Sequence, residues 1–284
     1  RRLQQEGFVI KAVTGTSAGS IFGAAVAAGY SSDDVAELVR DAKPYDLFRR
    51  GKNEGPALLG MEGLSERLAS ALGERTFADL QIPFACIAVD IDLGKEIILN
   101  KGRVIDAVLA SCALPGLFPT QKIGKLNLVD GGVLDPVPVA LARYIAPALP
   151  IVAVTLSPVP EEWAEMPTPK IQGPNPFTST LIQQASRTRY GQALETFFRA
   201  MDVSNCMLAE FRLQSDHPDV VIRPDLQSFD MLDAVKSEEM IALGERAAEA
   251  AIPAIREALS VRNSLGRLFR RASPPGILIT EEGF

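Results

Sequence analysis

Apolar and polar residues alternate along the chain in short blocks, and the first block predicts a strand followed by a helix. A compact, β-rich run covers residues 8–14, and the next residues, GTSAGS, turn directly into the small-residue sequence IFGAAVAAGY. This order predicts a strand, a tight glycine turn and a helix. Residues 1–6 are predicted to end a further helix, with Gly7 as its stop.

The blocks that follow predict strands alternating with helices. The turn Asp92-Leu93-Gly94 separates two apolar runs, 82–90 and 96–100, which indicates a β-hairpin. Further strands are expected at 126–129, 151–156 and 220–223. Helices are expected at 33–42, 64–72, 105–114, 138–145, 178–208 and 233–259, the last interrupted at Pro253. The alternation predicts one α/β domain, a three-layer α/β/α arrangement around a central, mostly parallel sheet.

Two segments show no clear periodicity of apolar residues. Residues 157–177 are rich in proline and are predicted to form a long surface loop or a lid. Residues 265–271 interleave three arginines with Leu and Phe. Such a short basic segment indicates a loosely ordered tail, with contact to an anionic lipid surface as the alternative. We therefore expect a domain over residues 1–260 and a basic tail over residues 261–284.

Composition narrows the possible classes of function. Apolar residues make up 47 % of the 284 positions and charged residues 23 %, which suits a globular core. The net charge of −6 argues against a nucleic-acid partner. Three cysteines without CxxC spacing argue against a disulfide framework and a zinc site. No run suits a membrane span and no signal peptide opens the chain, so a cytoplasmic location is expected.

The candidate chemistry begins at Gly15-Thr16-Ser17-Ala18-Gly19, a GxSxG pattern between the first strand and its helix. In that position GxSxG indicates a nucleophile elbow, a sharp turn that exposes the serine hydroxyl. The helix begins at Ser17, so the positive end of its dipole faces the hydroxyl. A plain glycine turn and an anion-binding loop are the alternatives.

A nucleophilic serine needs a base, and histidine is the usual one. The single histidine, His217, lies in a polar turn and is more typical of a surface residue. Asp130, followed by Gly131 and Gly132, ends the apolar run 126–129, and carboxylates at strand ends gather at the sites of α/β sheets. An aspartate that only opens a turn is the alternative. As a base, Asp130 would need burial to raise its pKa from about 3.9.

Several motifs, in order over about residues 1–260, resemble the patatin-like phospholipases, which are serine acyl hydrolases with a Ser-Asp dyad. They are AVTGTSAGSIFGAAVAAGYS, FACIAVDIDLGKEIIL, DAVLASCALPGLFP, LNLVDGGVLDPVPV and VVIRPDL. The resemblance implies a patatin-like three-layer fold, Ser17 as nucleophile and Asp130 as general base, with no cofactor. It also implies a phospholipid or other lipid ester as substrate, with peripheral membrane contact as a possible addition.

The resemblance also implies a glycine-rich oxyanion loop near the start of the domain, and this sequence does not contain it. We expect the natural chain to carry that loop upstream of Arg1. Within this sequence, the backbone amide of Ala18 is the candidate oxyanion donor. The absent loop also supports the alternative function, a non-catalytic lipid-binding or regulatory module.

Other features have simpler interpretations. Asp90-x-Asp92-x-Gly94 suggests a hairpin turn, with a metal site as the alternative. Cys112 is expected to pack in the core. A nucleotide-binding role for the glycine turn is the weakest alternative.

Overall fold

Strand β2 (Phe84–Asp90) lies at the centre of the fold, and all seven of its residues are buried. Its apolar sequence, FACIAVD, suits a strand covered on both faces. The computed structural model describes residues 1–40, 44–165, 188–226, 237–260, 267 and 272–279.

The other strands are β1 (Val13–Gly15), β3 (Lys95–Leu99), β4 (Gln121–Ile123), β5 (Leu126–Asp130), β6 (Val152–Val154), β7 (Val220–Ile222) and β8 (Ile277–Leu278). The helices are α1 (Arg2–Gln5), α2 (Ala18–Ala27), α3 (Ser32–Arg40), α4 (Pro44–Leu47), α5 (Glu62–Leu72), α6 (Val104–Ser111), α7 (Val139–Ile145), α8 (Arg189–Asp216) and α9 (Ser237–Ala258). Short 3-10 turns cover Phe77–Asp79, Gly131–Val133 and Pro160–Glu165.

Alternate side chains of β2 enter two different cores, one on each face of the sheet. Phe84, Cys86 and Ala88 belong to the larger cluster, which α2, α5 and α6 complete. Ala85 and Ile87 point to the other face and pack with α7. The period of two residues in a strand produces this division. The α/β class and the three-layer arrangement predicted from the sequence are confirmed.

The sheet itself is mixed, which corrects the expectation of a mostly parallel sheet. A six-stranded sheet contains the order β4-β5-β2-β3-β8 with β1 also paired to β2, and β6 and β7 form a separate pair. Among the described residues, three ladders are parallel and three are antiparallel. The reason is that short turns join β2 to β3 and β4 to β5, and such turns connect only antiparallel neighbours.

The described part of the expected tail is built into the domain. Ile277–Leu278 pair in parallel with β3, and the Ile279 N–H donates to the Ile98 carbonyl at 3.2 Å. Arg267 is buried and forms an ion pair with Asp219 at 2.8 Å. The division at residue 260 stays a prediction, but these residues pack against the domain.

The long helices differ from their predicted bounds. Helix α8 continues to Asp216, beyond the predicted end at residue 208, and residues 178–187 lie outside the described residues. Helix α9 runs without a break through Pro253. Most of the proline-rich segment 157–177 also lies outside the described residues, so its role as a lid stays a prediction.

Candidate active site

Ser17 stands on a strained turn between β1 and α2. Its φ of 52° and ψ of −126° lie outside the regions that a residue with a side chain usually adopts. Such a conformation costs about 1–3 kcal/mol and persists only where the surroundings impose it. Gly15 permits the turn, because a Cβ atom there would lie 2.3 Å from the Gly19 carbonyl oxygen. A Cβ atom at Gly19 would meet no atom within 4 Å.

The backbone around Ser17 is held by hydrogen bonds from two helices. Its N–H donates to the hydroxyl of Ser111, the last residue of α6, at 3.0 Å. Its carbonyl accepts the Ser20 hydroxyl at 2.6 Å and the Ser20 N–H at 2.8 Å. The Ala18 N–H, at the start of α2, has no partner among the described residues. This amide is therefore available for a ligand.

Asp130 reaches Ser17 because β1 and β5 share one edge of β2. Strand β1 ends with Gly15 opposite Cys86, and β5 arrives from the other direction with Asp130 opposite Ala88. Strand β3 pairs with β2 from Cys86 to Asp90, so it occupies the opposite edge at Cys86 and along the stretch paired with β5. Strands β1 and β5 thus meet end to end, with Gly15 and Asp130 two β2 residues, or roughly 7 Å, apart along the strand. The turn that follows Gly15 carries Ser17 towards Asp130.

The carboxylate of Asp130 is 1 % exposed, and one of its oxygens is free. Oδ1 accepts the Gly132 N–H at 2.7 Å. Oδ2 is buried and has no hydrogen-bond partner among the described residues. Gly131 allows this turn, because a Cβ atom there would lie 2.3 Å from the Ile87 carbonyl oxygen.

Burial raises the pKa of Asp130 to about 6, and interactions with the Ser17 hydroxyl and the Gly132 N–H lower it by less. The Ser17 side chain therefore lies close enough to interact with the carboxylate, although no hydrogen bond of ordinary geometry joins the two groups. The rise agrees with the expectation from the sequence. A carboxylate with this pKa is a stronger base than an ordinary aspartate and remains ionised at neutral pH.

Two threonines tie the elbow to the loop that carries Asp130. The Thr16 hydroxyl donates to the Asp135 carbonyl at 2.9 Å, and the Thr14 hydroxyl donates to the Pro138 carbonyl at 3.2 Å. From the other side, Arg212 of α8 donates two hydrogen bonds to the Leu134 carbonyl, at 3.0 and 3.1 Å. These contacts fix the loop between residues 130 and 138 relative to Ser17.

Sequence reasoning missed a buried charged cluster next to this loop. Asp135 is fully buried, and burial raises its pKa to about 7. Burial likewise raises the pKa of Glu96, and Arg212, which lies 3.4 Å from Glu96 and 3.9 Å from Asp135, lowers both pKa values. Asp216 adds a further negative charge. A charged residue inside the apolar run LDPVPV is the signal that could have directed attention to Asp135.

His217 is not part of this arrangement. It is exposed, it ends α8 with a φ of 48°, and its carbonyl accepts a hydrogen bond from Arg143 at 2.7 Å. In the described part of the chain, no hydrogen bond or ion pair joins it to Ser17 or Asp130. The structure thus agrees with its interpretation as a surface residue.

The Asp90 carboxylate is occupied by backbone N–H groups of the β2–β3 hairpin and of β5. Its Oδ1 accepts the N–H groups of Asp92 and Leu93, at 2.9 and 2.8 Å, and its Oδ2 accepts the Asn127 N–H at 3.2 Å. Over the residues that the structure describes, no group of acidic, cysteine or histidine side chains could hold a metal ion. None of the described helices has the length and apolar character needed to cross a bilayer.

Comparison with known proteins identifies the family. The family model for patatin-like phospholipases matches residues 1–143, half of the chain. The chain therefore belongs to the patatin-like phospholipase family.

Among its curated relatives is an uncharacterised NTE family protein of Mycobacterium tuberculosis, 28 % identical over 140 residues, which cover 49 % of this chain and 39 % of that protein. The uncharacterised protein YqhO of Bacillus subtilis is 30 % identical over 191 residues, 55 % of this chain and 64 % of its own length. A protein of Phaeosphaeria nodorum named lysophospholipase NTE1 is 25 % identical over 280 residues, 90 % of this chain and 17 % of its own. In each case the chain spans less than two thirds of the relative.

Proposed function

We propose that this chain is a lipid acyl hydrolase that cleaves carboxylic ester bonds with Ser17 as nucleophile and Asp130 as general base. One observation carries the proposal. A serine on a strained strand–helix turn lies beside a buried carboxylate whose Oδ2 is unpartnered and whose pKa is about 6. Family membership and the name of one relative support the substrate class, an ester of a phospholipid or lysophospholipid.

In the first half of the reaction, Asp130 Oδ2 removes the proton of Ser17 Oγ as Oγ attacks the acyl carbonyl carbon. The carbonyl electron pair moves to oxygen, and the resulting oxyanion receives a hydrogen bond from the Ala18 N–H. Collapse of this intermediate breaks the ester bond. The leaving alcohol takes the proton from Asp130, and the acyl group remains on Ser17.

In the second half, a water molecule gives a proton to Asp130 and attacks the acyl carbon. The second tetrahedral intermediate collapses, the C–O bond to Ser17 breaks, and Oγ takes the proton back from Asp130. The carboxylic acid leaves and the dyad returns to its starting state. Every proton that moves passes through Asp130, so no histidine is required.

The surrounding residues of the two motifs have structural roles in this proposal. Gly15 and Thr16 shape and anchor the elbow, and Ala18 and Gly19 begin the helix whose positive end faces the oxyanion. Gly131 and Gly132 aim the Asp130 carboxylate. The upstream oxyanion loop, the cytoplasmic location and the contact with membranes stay predictions.

Fluorophosphonate labelling followed by intact-mass analysis tests the proposal on the whole natural protein. We expect one adduct on the wild type and none on Ser17→Ala. Asp130→Asn should label about 10²- to 10⁴-fold more slowly, because it lacks the base. Ser204→Ala, which removes an exposed hydroxyl on α8, should label at the wild-type rate.

Two outcomes would contradict the proposal. An adduct on Ser17→Ala would place the reactive group elsewhere. No adduct on any form, from a folded protein that still binds phospholipid vesicles, would instead identify a lipid-binding module without catalysis.

A further inference from the structure

Ser17 has both of its backbone polar groups bound by the hydroxyls of two other serines. The Ser111 hydroxyl accepts the Ser17 N–H at 3.0 Å, and the Ser20 hydroxyl donates to the Ser17 carbonyl at 2.6 Å. Both serines are 0 % exposed. We call Ser20 and Ser111 the serine clamp. Cys112 lies next to both, with its Sγ atom 3.6 Å from the Ser20 Oγ atom.

The two halves of the clamp come from different parts of the fold. Ser20 belongs to α2, the helix whose N-cap is Ser17. Ser111 ends α6 and follows Ser17 by 94 residues in the sequence. Helix α6 packs on β2 in the larger core, so its end is fixed relative to the sheet. Ser111 therefore connects the turn at Ser17 to a rigid element outside the elbow motif.

The elbow needs such external contacts because its conformation is unfavourable for a serine. At the N-cap of α2, the Ser17 N–H has no acceptor within the helix ladder. A strained backbone persists only when neighbouring groups hold it in place. Glycine could adopt the same angles freely, but glycine has no hydroxyl. The clamp thus allows a side-chain-bearing residue to occupy this turn.

We propose that Ser111 and Ser20 are positioning residues for catalysis, which act through Ser17 and not on the substrate. By binding the two peptide groups on either side of the Ser17 Cα atom, they direct its Oγ atom towards Asp130. Ser111 also occupies the Ser17 N–H, so that the Ala18 N–H is the elbow amide left for an oxyanion. This inference rests on the proposed role of Ser17 as nucleophile.

The test compares Ser111→Ala, Ser111→Thr and Ser20→Ala with the wild type in the whole natural protein. Ser111→Ala deletes the acceptor, and Ser111→Thr keeps it. We expect Ser111→Ala to react with fluorophosphonate roughly 10- to 100-fold more slowly, because the part-buried Ser17 N–H loses the acceptor that holds Ser17 in its reactive conformation. With p-nitrophenyl butyrate, kcat should fall by a similar factor while KM stays nearly constant. Ser20→Ala should likewise lower kcat at a nearly constant KM. Ser111→Thr should keep most of the wild-type labelling rate and kcat.

The controls separate positioning from folding and from the proposed function. Ser204→Ala should leave every value unchanged. If a folded Ser111→Ala variant reacts at the wild-type rate, the positioning role of Ser111 is wrong, while the proposed role of Ser17 as nucleophile is unaffected. Equal losses in Ser111→Ala and Ser111→Thr, with equal falls in Tm, would show that Ser111 only supports the core. A wild type that does not react at all would overturn the proposed function and the clamp together.

Discussion

The hydroxyl of Thr16 donates a 2.9 Å hydrogen bond to the backbone carbonyl of Asp135, across 119 residues of sequence. Thr16 immediately precedes the proposed nucleophile, and the loop that leads to Asp135 begins at the proposed base. One buried hydrogen bond therefore connects the two halves of the candidate active site. Its loss should affect both the stability of the fold and the alignment of the dyad.

Replacing Thr16 tests this connection. Thr16→Val keeps the shape of the side chain but leaves the Asp135 carbonyl without its donor, so we expect a loss of about 1–3 kcal/mol in the free energy of unfolding. Fluorophosphonate labelling should also slow. Urea denaturation and labelling rates provide the two measurements. Thr16→Ser retains the hydroxyl and should stay close to the wild type; a loss in Thr16→Ser with none in Thr16→Val would show that the methyl group, not the hydrogen bond, matters.

The pKa of Asp130 predicts the pH dependence of the reaction. In the proposed mechanism the ionised Asp130 carboxylate removes the Ser17 proton, so kcat/KM should fall about tenfold for each unit of pH below about 6 and level off above it. The rate of fluorophosphonate labelling should follow the same curve, because it requires the same proton transfer. A profile that is still flat at pH 4.5 would contradict Asp130 as the base.

The raised pKa of Asp130 also predicts how stability depends on pH: stability should fall as pH rises, whereas activity should increase. The native state holds the Asp130 proton up to about pH 6, whereas the unfolded chain releases it near pH 4, so ionisation of this group lowers stability as pH rises between these values. Asp130→Asn should therefore be more stable than the wild type at pH 8, by up to about 3 kcal/mol. The difference should disappear towards pH 4. Asp92→Asn, at an exposed position of the β2–β3 turn, provides the control in the same denaturation series.

The two glycines of the GxSxG motif should respond differently to substitution. Gly15→Ala would bring a Cβ atom to 2.3 Å from the backbone carbonyl of Gly19, which has no flexible side chain to move aside. We expect it to destabilise the protein by about 1–3 kcal/mol or more and to abolish labelling. Gly19→Ala meets open space inside a helix and should be neutral or stabilising by up to about 1 kcal/mol. Similar Tm values for the two variants would contradict the close approach at Gly15.

Arg212 should contribute more to the stability of the fold at high pH than at low pH. It lowers the pKa values of Glu96 and Asp135, and Asp216 adds negative charge beside them. Arg212→Met should cost about 1–3 kcal/mol at pH 8, less than for a fully buried pair because Arg212 is partly exposed. At pH 5 the loss should shrink, because protonated carboxyl groups need no counter-charge. A loss that is independent of pH would assign the effect to the hydrogen bonds with Leu134 alone.

The local motifs could be predicted from the sequence because each lies within a few residues. Gly15 to Gly19 contain the turn and its helix start, and Asp130 to Gly132 contain a strand end and its turn. The β2–β3 hairpin was equally visible from Asp92-Leu93-Gly94. The contacts of Ser111 and Arg212 could not be predicted in this way, because their partners lie 94 and 78 residues away. The expectation of a mostly parallel sheet was wrong for a related reason. Strand β4 is three residues long, too short for a clear apolar period, and the antiparallel ladder between β2 and β5 joins strands that lie far apart in the sequence.

The register along strand β2 also sets the distance between the two halves of the candidate site. Gly15 and Asp130 lie opposite Cys86 and Ala88, so the single β2 residue between these two positions, Ile87, sets the spacing of the proposed nucleophile and base. Apolar side chains of similar size can exchange along this strand without moving either group. Inserting or deleting one residue would shift the base by roughly 3.3 Å and reverse the face on which every later side chain lies. The proposed chemistry at this sheet edge therefore depends on the length of a strand that contributes no reacting atom.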